Sequence, residues 1–296
     1  MGRRSDDRRR RTKGRRSLSV TIQTAVVERQ SPPVSTLPVL RSRLLSQLPG
    51  VIHGVTRRVV GLGAADGNVG FGSPRDRDDA WRMRQHWCAS VGIDAERLVT
   101  VHQVHGTGVA VATRDAAGCG GTVGSAPLAN ADAIVTPDRG VALMTLHADC
   151  LPILLCDPAV PVVAAVHAGW RGTVAGVAER VMAALCDDFG AESDRTIAYL
   201  GPANRCCCYE VGDEVVAAWL EFDPGDKARA LARVGDRWHF DVVVANRWSL
   251  VRRGVRPGNV ETSEICTQCR ADQWFSHRAQ GPSTGRFGAV IALQER

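Results

Sequence analysis

Two short apolar runs, each beside a side chain that can bind a metal, constrain this chain more than any other feature. Leu151–Leu155 and Val162–Val166 are too short for typical helices and rich in Val, Ile and Leu, so we predict buried strands. Cys150 precedes the first run and His167 follows the second. The Gly-rich segment 168–173 then leads into a helical pattern, an arrangement at which α/β proteins often bind ligands. We expect Cys150, His167 and a distant third ligand to hold one metal ion in a catalytic pocket.

The remaining sequence mixes predicted strands and helices without strict alternation, and it contains no internal repeat. This pattern is typical of a mixed α/β sheet structure in a single domain. With 296 residues, of which 44% are hydrophobic and 23% charged, the chain can form a substantial core. We expect residues 37–296 to form the catalytic domain and residues 1–36 to form a disordered basic tail and linker.

Periodicity and turn residues predict the other elements. A helix is expected from Asp76 to about Ser90, with Ser73 as its cap and Pro74 at its first position. The alternation of Leu98–His105 is typical of a half-buried strand that ends in a potential ligand. Further strands are predicted at residues 51–57, 131–136, 141–146, 197–200, 259–266 and 287–293, and further helices at residues 174–189, 213–221 and 242–253.

The charge of the chain lies almost entirely near its N-terminus. The first sixteen residues contain nine Lys or Arg and two Asp, a net charge of +7 against +6 for the whole chain. The remainder therefore carries about −1, so nucleic acid is not an expected partner of the folded domain. No apolar run has the length of a transmembrane helix, and no convincing export signal is present. We expect a cytoplasmic protein, without membrane partners, that is a monomer or homodimer.

Ten cysteines are many for such a protein. Without an export signal they are not expected to form disulfides, and most are expected to be small buried side chains. Cys266 and Cys269 form a single CxxC motif. A structural zinc site of that type needs a second pair, and the run 206–208 does not have CxxC spacing. We therefore interpret these cysteines as core residues.

For each candidate site residue a structural role competes with a chemical one. Taken singly, His167 is more often a satisfied, partly buried histidine, and Cys150 is more often a buried structural cysteine. The acidic neighbour Asp149 favours a reactive site. His147 would face away from Cys150 on an extended strand, so we expect it to support the ligands rather than to be one of them.

Three arginines lie in polar, Gly-rich settings. The planar guanidinium binds phosphate or an oxyanion through two parallel hydrogen bonds, and such loops present it well. The alternative for each is a surface arginine or a structural ion pair. These residues are Arg171, Arg278 and Arg286.

An ordered set of short motifs covers the chain from roughly Leu44 to its C-terminus. Any one motif is weak, but the ordered set is highly specific. The motifs are Gln103–Gly106, Ala131–Ala133, Ala148–Pro152, Val166–Gly172, Gly201-Pro202, Cys208–Gly212, Phe275–Arg278 and Thr284–Arg286. Together they resemble the laccase-domain family, also called multicopper polyphenol oxidase-like or YfiH-like proteins, whose members are also treated as purine nucleoside phosphorylases.

The resemblance implies a zinc ion held by His105, Cys150 and His167. It also implies a mixed α/β sandwich resembling the catalytic domain of cytotoxic necrotizing factor. The implied activity is phosphorolysis of purine nucleosides (adenosine, inosine, guanosine and methylthioadenosine) together with deamination of adenosine. Purine nucleosides and phosphate are the implied partners.

Within that chemistry we assign catalytic roles to Cys150, Asp149 and Arg171, with Asp149 as a proton carrier. Arg278 and Arg286 are expected to bind the substrate, and either Arg171 or Arg278 suits phosphate. The sequence departs from the family at two positions. Asn204 stands where an apolar residue is usual, and His147 stands where a small residue is usual.

Two other functions stay open from sequence. A set of two histidines and one cysteine also suits copper, so a copper-dependent polyphenol oxidase is the first alternative. Only eight histidines are present and none forms a His-x-His pair, which argues against a multicopper cluster. The second alternative is a cell-wall editing factor, or a scaffold whose basic tail binds nucleic acid or anionic lipid.

Overall fold

The structure, a computed structural model, describes residues 37–223, 225 and 229–295. The predicted tail at residues 1–36 lies outside the described residues. The strands are β1 (Val51–Val55), β2 (Leu98–Val99), β3 (Val109–Val111), β4 (Ala133–Thr136), β5 (Ala142–His147), β6 (Leu151–Asp157), β7 (Val162–Ala168), β8 (Ile197–Leu200), β9 (Glu210–Val211), β10 (Leu231–Val234), β11 (Arg237–Phe240), β12 (Val260–Thr262) and β13 (Phe287–Leu293). The helices are α1 (Arg77–Val91), α2 (Trp170–Val174), α3 (Val177–Phe189), α4 (Asp213–Phe222), α5 (Val242–Arg252) and α6 (His277–Gln280), with short 3-10 helices at Leu45–Gln47, Ala95–Arg97, Arg114–Ala116 and Pro257–Asn259.

Two mixed sheets form the centre of the fold. One has the strand order β12-β8-β6-β7-β4-β3, and the other has the order β1-β13-β5-β2. Each contains both parallel and antiparallel neighbours: β12 runs parallel to β8, for example, whereas β6 and β7 are antiparallel. A small antiparallel sheet, β10-β11-β9, completes the set in the described part of the chain.

The two larger sheets pack face to face, and helices cover their outer faces. Leu154 of β6 shares a core with Leu143 and Ile291 of the opposite sheet. Its neighbours Ile153 and Leu155 point the other way and pack with residues of α3, α4 and α5. On the far side, α1 packs against β5 and β13. Because β6 and β7 are buried on both faces, their sequences are continuous apolar runs, and the predicted mixed α/β sandwich is confirmed.

The two strands predicted at the centre of the sequence are confirmed as β6 and β7. The strand predicted over Leu98–His105 is wrong in length, since regular pairing ends at Val99. Beyond that point the backbone bonds to a loop instead: the N–H of Thr100 donates to the carbonyl oxygen of Cys119, and that of His102 to Ala129. Residues 100–105 therefore leave the sheet and can enter a site at its end.

The predicted boundaries of two helices need correction. Helix α1 is capped by Asp76, whose carboxylate accepts the N–H groups of Asp78 and Asp79, so Ser73-Pro74 precedes the helix without capping it. The helix predicted at residues 174–189 begins at Val177 as α3, because Gly176, whose φ of +83° lies in the left-handed region, separates it from the short helix α2. Helix α2 begins at Trp170, two residues after the end of β7.

All ten cysteines are free thiols. The interpretation of the 206–208 run and the CxxC motif as core residues is wrong for most of them. Only Cys266 is buried, whereas Cys207 and Cys269 are exposed. Separately, none of the helices in residues 37–295 that the structure describes combines the length and apolarity needed to cross a membrane.

Candidate metal centre and active site

Strand pairing brings the two central ligand candidates together. In the antiparallel β6–β7 pair, Leu151 lies opposite Ala168, so Cys150 just before β6 meets His167 near the end of β7. His105 arrives from the loop between β2 and β3. The candidate ligand atoms of His105, Cys150 and His167 all lie within 4.8 Å of one another. The structure thus brings the three predicted residues to one point, while metal binding by them stays a prediction.

Asp132, which the sequence analysis left without a role, organises this point. It lies just before β4, and its carboxylate accepts the N–H groups of His105 at 2.9 Å and Gly106 at 2.6 Å. The same carboxylate lies 2.9 Å from Nδ1 of His167. These bonds support the left-handed backbone of His105, whose φ is +61°. The Ala131–Ala133 motif pointed to this residue, but its role could not be predicted because the partners of Asp132 are distant in sequence.

The donor atoms fit a zinc ion in their chemistry. Burial opposes ionisation of the Cys150 thiol, but His167 and hydrogen bonds from His105 and His167 lower its pKa. Burial likewise opposes protonation of His167, whereas Cys150 and Asp132 raise its pKa. Since Asp132 occupies Nδ1 of His167, Nε2 is free to bind a metal. Two imidazoles and a thiolate are ligands of the types that zinc prefers, and catalytic zinc sites commonly use three protein ligands.

A glycine leaves room beside these donors. A Cβ placed on Gly169 would lie 3.0 Å from Cδ2 of His105 and 3.1 Å from Sγ of Cys150. Gly169 is also the N-cap residue of α2. The segment from β7 into α2 therefore approaches the candidate ligands as closely as a backbone without a side chain allows.

His147 lies next to the three candidate ligands, and its support of a bound metal stays a prediction. It is 1% exposed, and its Nδ1 lies 3.0 Å from the carbonyl oxygen of Cys150 while Nε2 lies 2.8 Å from Oγ1 of Thr145. Burial and the nearby His167 lower its pKa, which favours the neutral ring. Its ring also stacks on Phe287, with centroids 5.5 Å apart. His147 thereby fixes the backbone of Cys150 and leaves the thiol free for the site.

Asp149 is held in an unusual backbone conformation beside the ligands. Its φ is +91°, and its carbonyl oxygen accepts the N–H of Asn204 at 2.9 Å. One carboxylate oxygen accepts the hydroxyl of Thr267 at 2.7 Å, and the other accepts the N–H of Arg278 at 2.8 Å. Asn204 thus contributes through its backbone at the position where its side chain departs from the family.

The three candidate ligands and Asp149 line one cavity of about 710 Å³. Its described lining contains a single carboxylate, that of Asp149, against several guanidinium groups. The cavity therefore favours anionic ligands. Aromatic faces also line it, and they can stack on a flat base. The lining arginines are Arg75, Arg77, Arg84, Arg278 and Arg286, and the aromatic residues are Phe71, Trp170 and Tyr209.

The three arginines singled out from sequence have different positions. Arg278 lines the cavity with its guanidinium 5.1 Å from the ring centroid of Tyr209. Arg286 also lines it, and burial together with the nearby Arg75 lowers its pKa. Arg171 is not among the described residues that line the cavity. It is exposed, and its guanidinium lies 4.3 Å from the ring centroid of Trp170. The structure therefore brings two of the three into the cavity.

The sequence analysis missed a buried arginine, Arg84, that also lines the cavity. Arg84 is 1% exposed and donates to the carbonyl oxygens of Val69, Gly120 and Gly121. Its guanidinium lies 3.7 Å from the ring centroid of Phe71. In sequence it looks like an ordinary polar residue of an amphipathic helix, because its acceptors come from distant loops.

Comparisons with known proteins show which family the chain belongs to. The family model described as multi-copper polyphenol oxidoreductase laccase matches residues 52–294. Adenosine deaminase RL5, from an unknown prokaryotic organism, is 37% identical over 214 residues, which cover 71% of this chain and 81% of the relative. Purine nucleoside phosphorylase YlmD of Geobacillus stearothermophilus is 33% identical over 241 residues, covering 77% and 84% respectively.

Solved structures lead to the same group of proteins. The crystal structure of YlmD from Geobacillus stearothermophilus superposes with a TM-score of 0.82 at 28% identity, covering 89% of this chain and all of that one. The crystal structure of YfiH from Bacillus licheniformis gives a TM-score of 0.80 at 25% identity, with 84% and 94% covered. This chain therefore belongs to the multi-copper polyphenol oxidoreductase laccase family, which includes the YlmD-like and YfiH-like proteins.

Proposed function

We propose that this protein is a zinc-dependent purine nucleoside phosphorylase that also deaminates adenosine. The observation that carries the proposal is the coincidence, in one cavity, of a His₂Cys donor set with a group of arginines and aromatic faces. The names of the relatives, purine nucleoside phosphorylase and adenosine deaminase, support both halves of the activity. Adenosine, inosine, guanosine and methylthioadenosine are the proposed nucleosides.

Phosphorolysis needs phosphate beside the sugar and stabilisation of charge as the glycosidic bond breaks. Arg278 and Arg286 line the cavity, and a guanidinium group can bind phosphate through two parallel hydrogen bonds. The developing positive charge on the sugar then faces the bound phosphate, which attacks it and forms ribose 1-phosphate. Tyr209 and Trp170 present aromatic faces to the same space and suit stacking on the purine.

The three proposed ligands are His105, Cys150 and His167. Zinc bound by such a set supplies Lewis acidity and lowers the pKa of water that it coordinates. Asp149 is the proposed proton carrier for both reactions. In phosphorolysis it protonates the departing base and regains a proton from the attacking phosphate. In deamination it moves a proton from the attacking water to the amino group, which leaves as ammonia when the new C–O bond forms. Its bonds to Thr267 and the N–H of Arg278 hold the carboxylate at the cavity wall.

Metal content and activity should depend on the same thiol. We expect Cys150→Ala to contain one zinc equivalent less than the wild type and to lose phosphate-dependent release of hypoxanthine from inosine. Elemental analysis and the inosine assay measure the two quantities on the same preparation. Cys186→Ala, which changes a partly buried thiol on α3, is the matched control and should retain both. Full activity in Cys150→Ala would refute the proposal.

Copper-dependent oxidation of polyphenols is a second candidate, because the family description names a laccase and His₂Cys also suits copper. A laccase uses several copper ions. Of the two possible metal groups among the described residues, only the one at His105 contains histidine. Phenol-dependent oxygen uptake by the copper-loaded protein, lost in Cys150→Ala, would favour oxidation. Hypoxanthine release without oxygen uptake favours the nucleoside reaction.

A further inference from the structure

Four cysteines that are distant in sequence meet outside the proposed active-site donors. Cys207 and Cys208 follow β8, whereas Cys266 and Cys269 follow β12. Strands β8 and β12 are parallel neighbours, with Ala198 paired to Val260, so the segments after them leave the sheet at the same end. The four Sγ atoms all lie within 4.8 Å of one another. Cys269 Sγ lies 3.0 Å from that of Cys208 and 3.5 Å from that of Cys207.

This arrangement has the dimensions of a tetrathiolate metal site. Zn–S bonds of about 2.3 Å in a tetrahedron separate the sulfurs by about 3.8 Å, so small movements of the four thiols would complete the geometry. The CxxC motif supplies one pair with the usual spacing. The adjacent Cys207 and Cys208 supply the second pair through spatial convergence, which is why the sequence did not reveal it.

We propose that Cys207, Cys208, Cys266 and Cys269 bind a second metal ion, a structural zinc with four thiolate ligands. Each thiol releases one proton on binding, so the zinc and its four sulfurs carry a net charge of −2. Four protein ligands leave no position for water, as in closed structural sites. Soft sulfur ligands select zinc over calcium or magnesium.

The site would join a loop that lines the cavity to a second loop that bonds to the cavity residue Asp149. Tyr209, which lines the cavity, directly follows Cys208. Thr267 directly follows Cys266 and donates its hydroxyl to Asp149. The backbones of the two loops already touch, since the N–H of Ala203 donates to Ile265 and that of Thr267 donates to Ala203. A metal ion would add a strong link to this short parallel contact and hold both loops in register.

The decisive test uses the full chain, purified under reducing conditions without chelators, and counts metal without reference to activity. Cys150→Ala removes the proposed catalytic ion and isolates the second site. We expect this variant to retain about one equivalent of zinc. Adding the Cys266→Ser/Cys269→Ser change should remove it. Cys206→Ser is the matched control, because Cys206 belongs to the same run but not to the cluster, and it should lose no metal.

Cobalt substitution keeps the proposal testable should the double serine variant fail to fold. Cobalt bound to Cys150→Ala should show the strong sulfur-to-metal charge-transfer and visible bands of a tetrahedral tetrathiolate site. Removal of the metal should also speed amide hydrogen exchange in residues 201–209 and 263–270 together. Absence of metal from Cys150→Ala would overturn the proposal. So would a thiol titration of the denatured wild-type protein that finds eight free thiols instead of ten, because that result would identify a disulfide.

Discussion

Oδ1 of Asp132 lies 2.9 Å from Nδ1 of His167, and the same oxygen accepts the N–H of His105. One buried carboxylate therefore fixes the ring of one proposed ligand and the backbone of another. A carboxylate bonded to the second nitrogen of a histidine ligand orients the ring and increases its basicity. Asp132 directly precedes β4, and its carbonyl oxygen accepts the N–H of His167, so the sheet fixes its position.

We expect Asp132→Asn to weaken zinc binding at the centre roughly 10- to 100-fold, because supporting partners of histidine ligands typically have that effect. The amide cannot accept all of the N–H groups that the carboxylate accepts. Competition with a chromophoric chelator measures the affinity. Asp138→Asn is the control: the carboxylate of Asp138 accepts the backbone N–H of Arg114 near the surface, away from the candidate ligands. Equal zinc affinity in the two variants would contradict the assigned role of Asp132.

Gly169 gives a steric test of the same centre. The added methyl group of Gly169→Ala would lie about 3 Å from both Cys150 Sγ and a carbon of His105, which forces the ligands apart. We expect zinc affinity to fall about tenfold, since ligand geometry must be held within about half an ångström. Gly258→Ala places its methyl group in open space and serves as control. Wild-type zinc affinity in Gly169→Ala would show that the backbone at residue 169 does not lie close to the bound metal.

The arginines separate phosphate binding from deamination. We expect Arg278→Ala to raise KM for phosphate roughly 10- to 100-fold, the effect of losing one or two charged hydrogen bonds. Deamination of adenosine, which uses no phosphate, should change much less. Arg171→Ala should raise KM for phosphate less than Arg278→Ala, because Arg171 lies outside the cavity lining. The reverse order in phosphate titrations would assign that role to Arg171, and equal losses in both reactions would reject a phosphate-specific role.

A buried histidine away from the site predicts how stability depends on pH. His53 is 2% exposed, and its Nε2 accepts the N–H of Ser42 at 2.9 Å. Burial, with a contribution from Arg41, lowers its pKa from 6.5 to about 4. The folded state thus favours the neutral ring. The contribution of His53 to stability is complete above pH 6.5 and is lost as the pH falls through 4, a change of about 3 kcal/mol.

His53→Gln keeps an acceptor near the position of Nε2 but does not titrate. We expect the free energy of unfolding of the wild type to fall more steeply between pH 6.5 and 4 than that of His53→Gln. Urea denaturation at several pH values, with metal chelated from both proteins, measures the difference. Parallel pH profiles would show that His53 does not govern the acid sensitivity.

The sequence predicted the elements whose signal is local. Strands β6 and β8 and helix α4 were found because apolar runs and helical spacing depend on neighbouring residues. The prediction that His105 joins Cys150 and His167 came from the family resemblance of the ordered motifs, because spacing alone cannot place His105. What sequence missed depends on long-range pairing: the bonds of Asp132, the carbonyl oxygens that hold Arg84, and the convergence of the four cysteines.

The three residues Ala148 to Cys150 cross from β5 in one sheet to β6 in the sheet packed against it. A connection of three residues allows few backbone conformations, and Asp149 adopts a left-handed conformation within it. One inserted residue would rotate Cys150 away from His167, so this corner should reject length changes during evolution. The turn between β6 and β7 at the other end of the hairpin is free of that constraint, and we expect insertions and deletions to accumulate there.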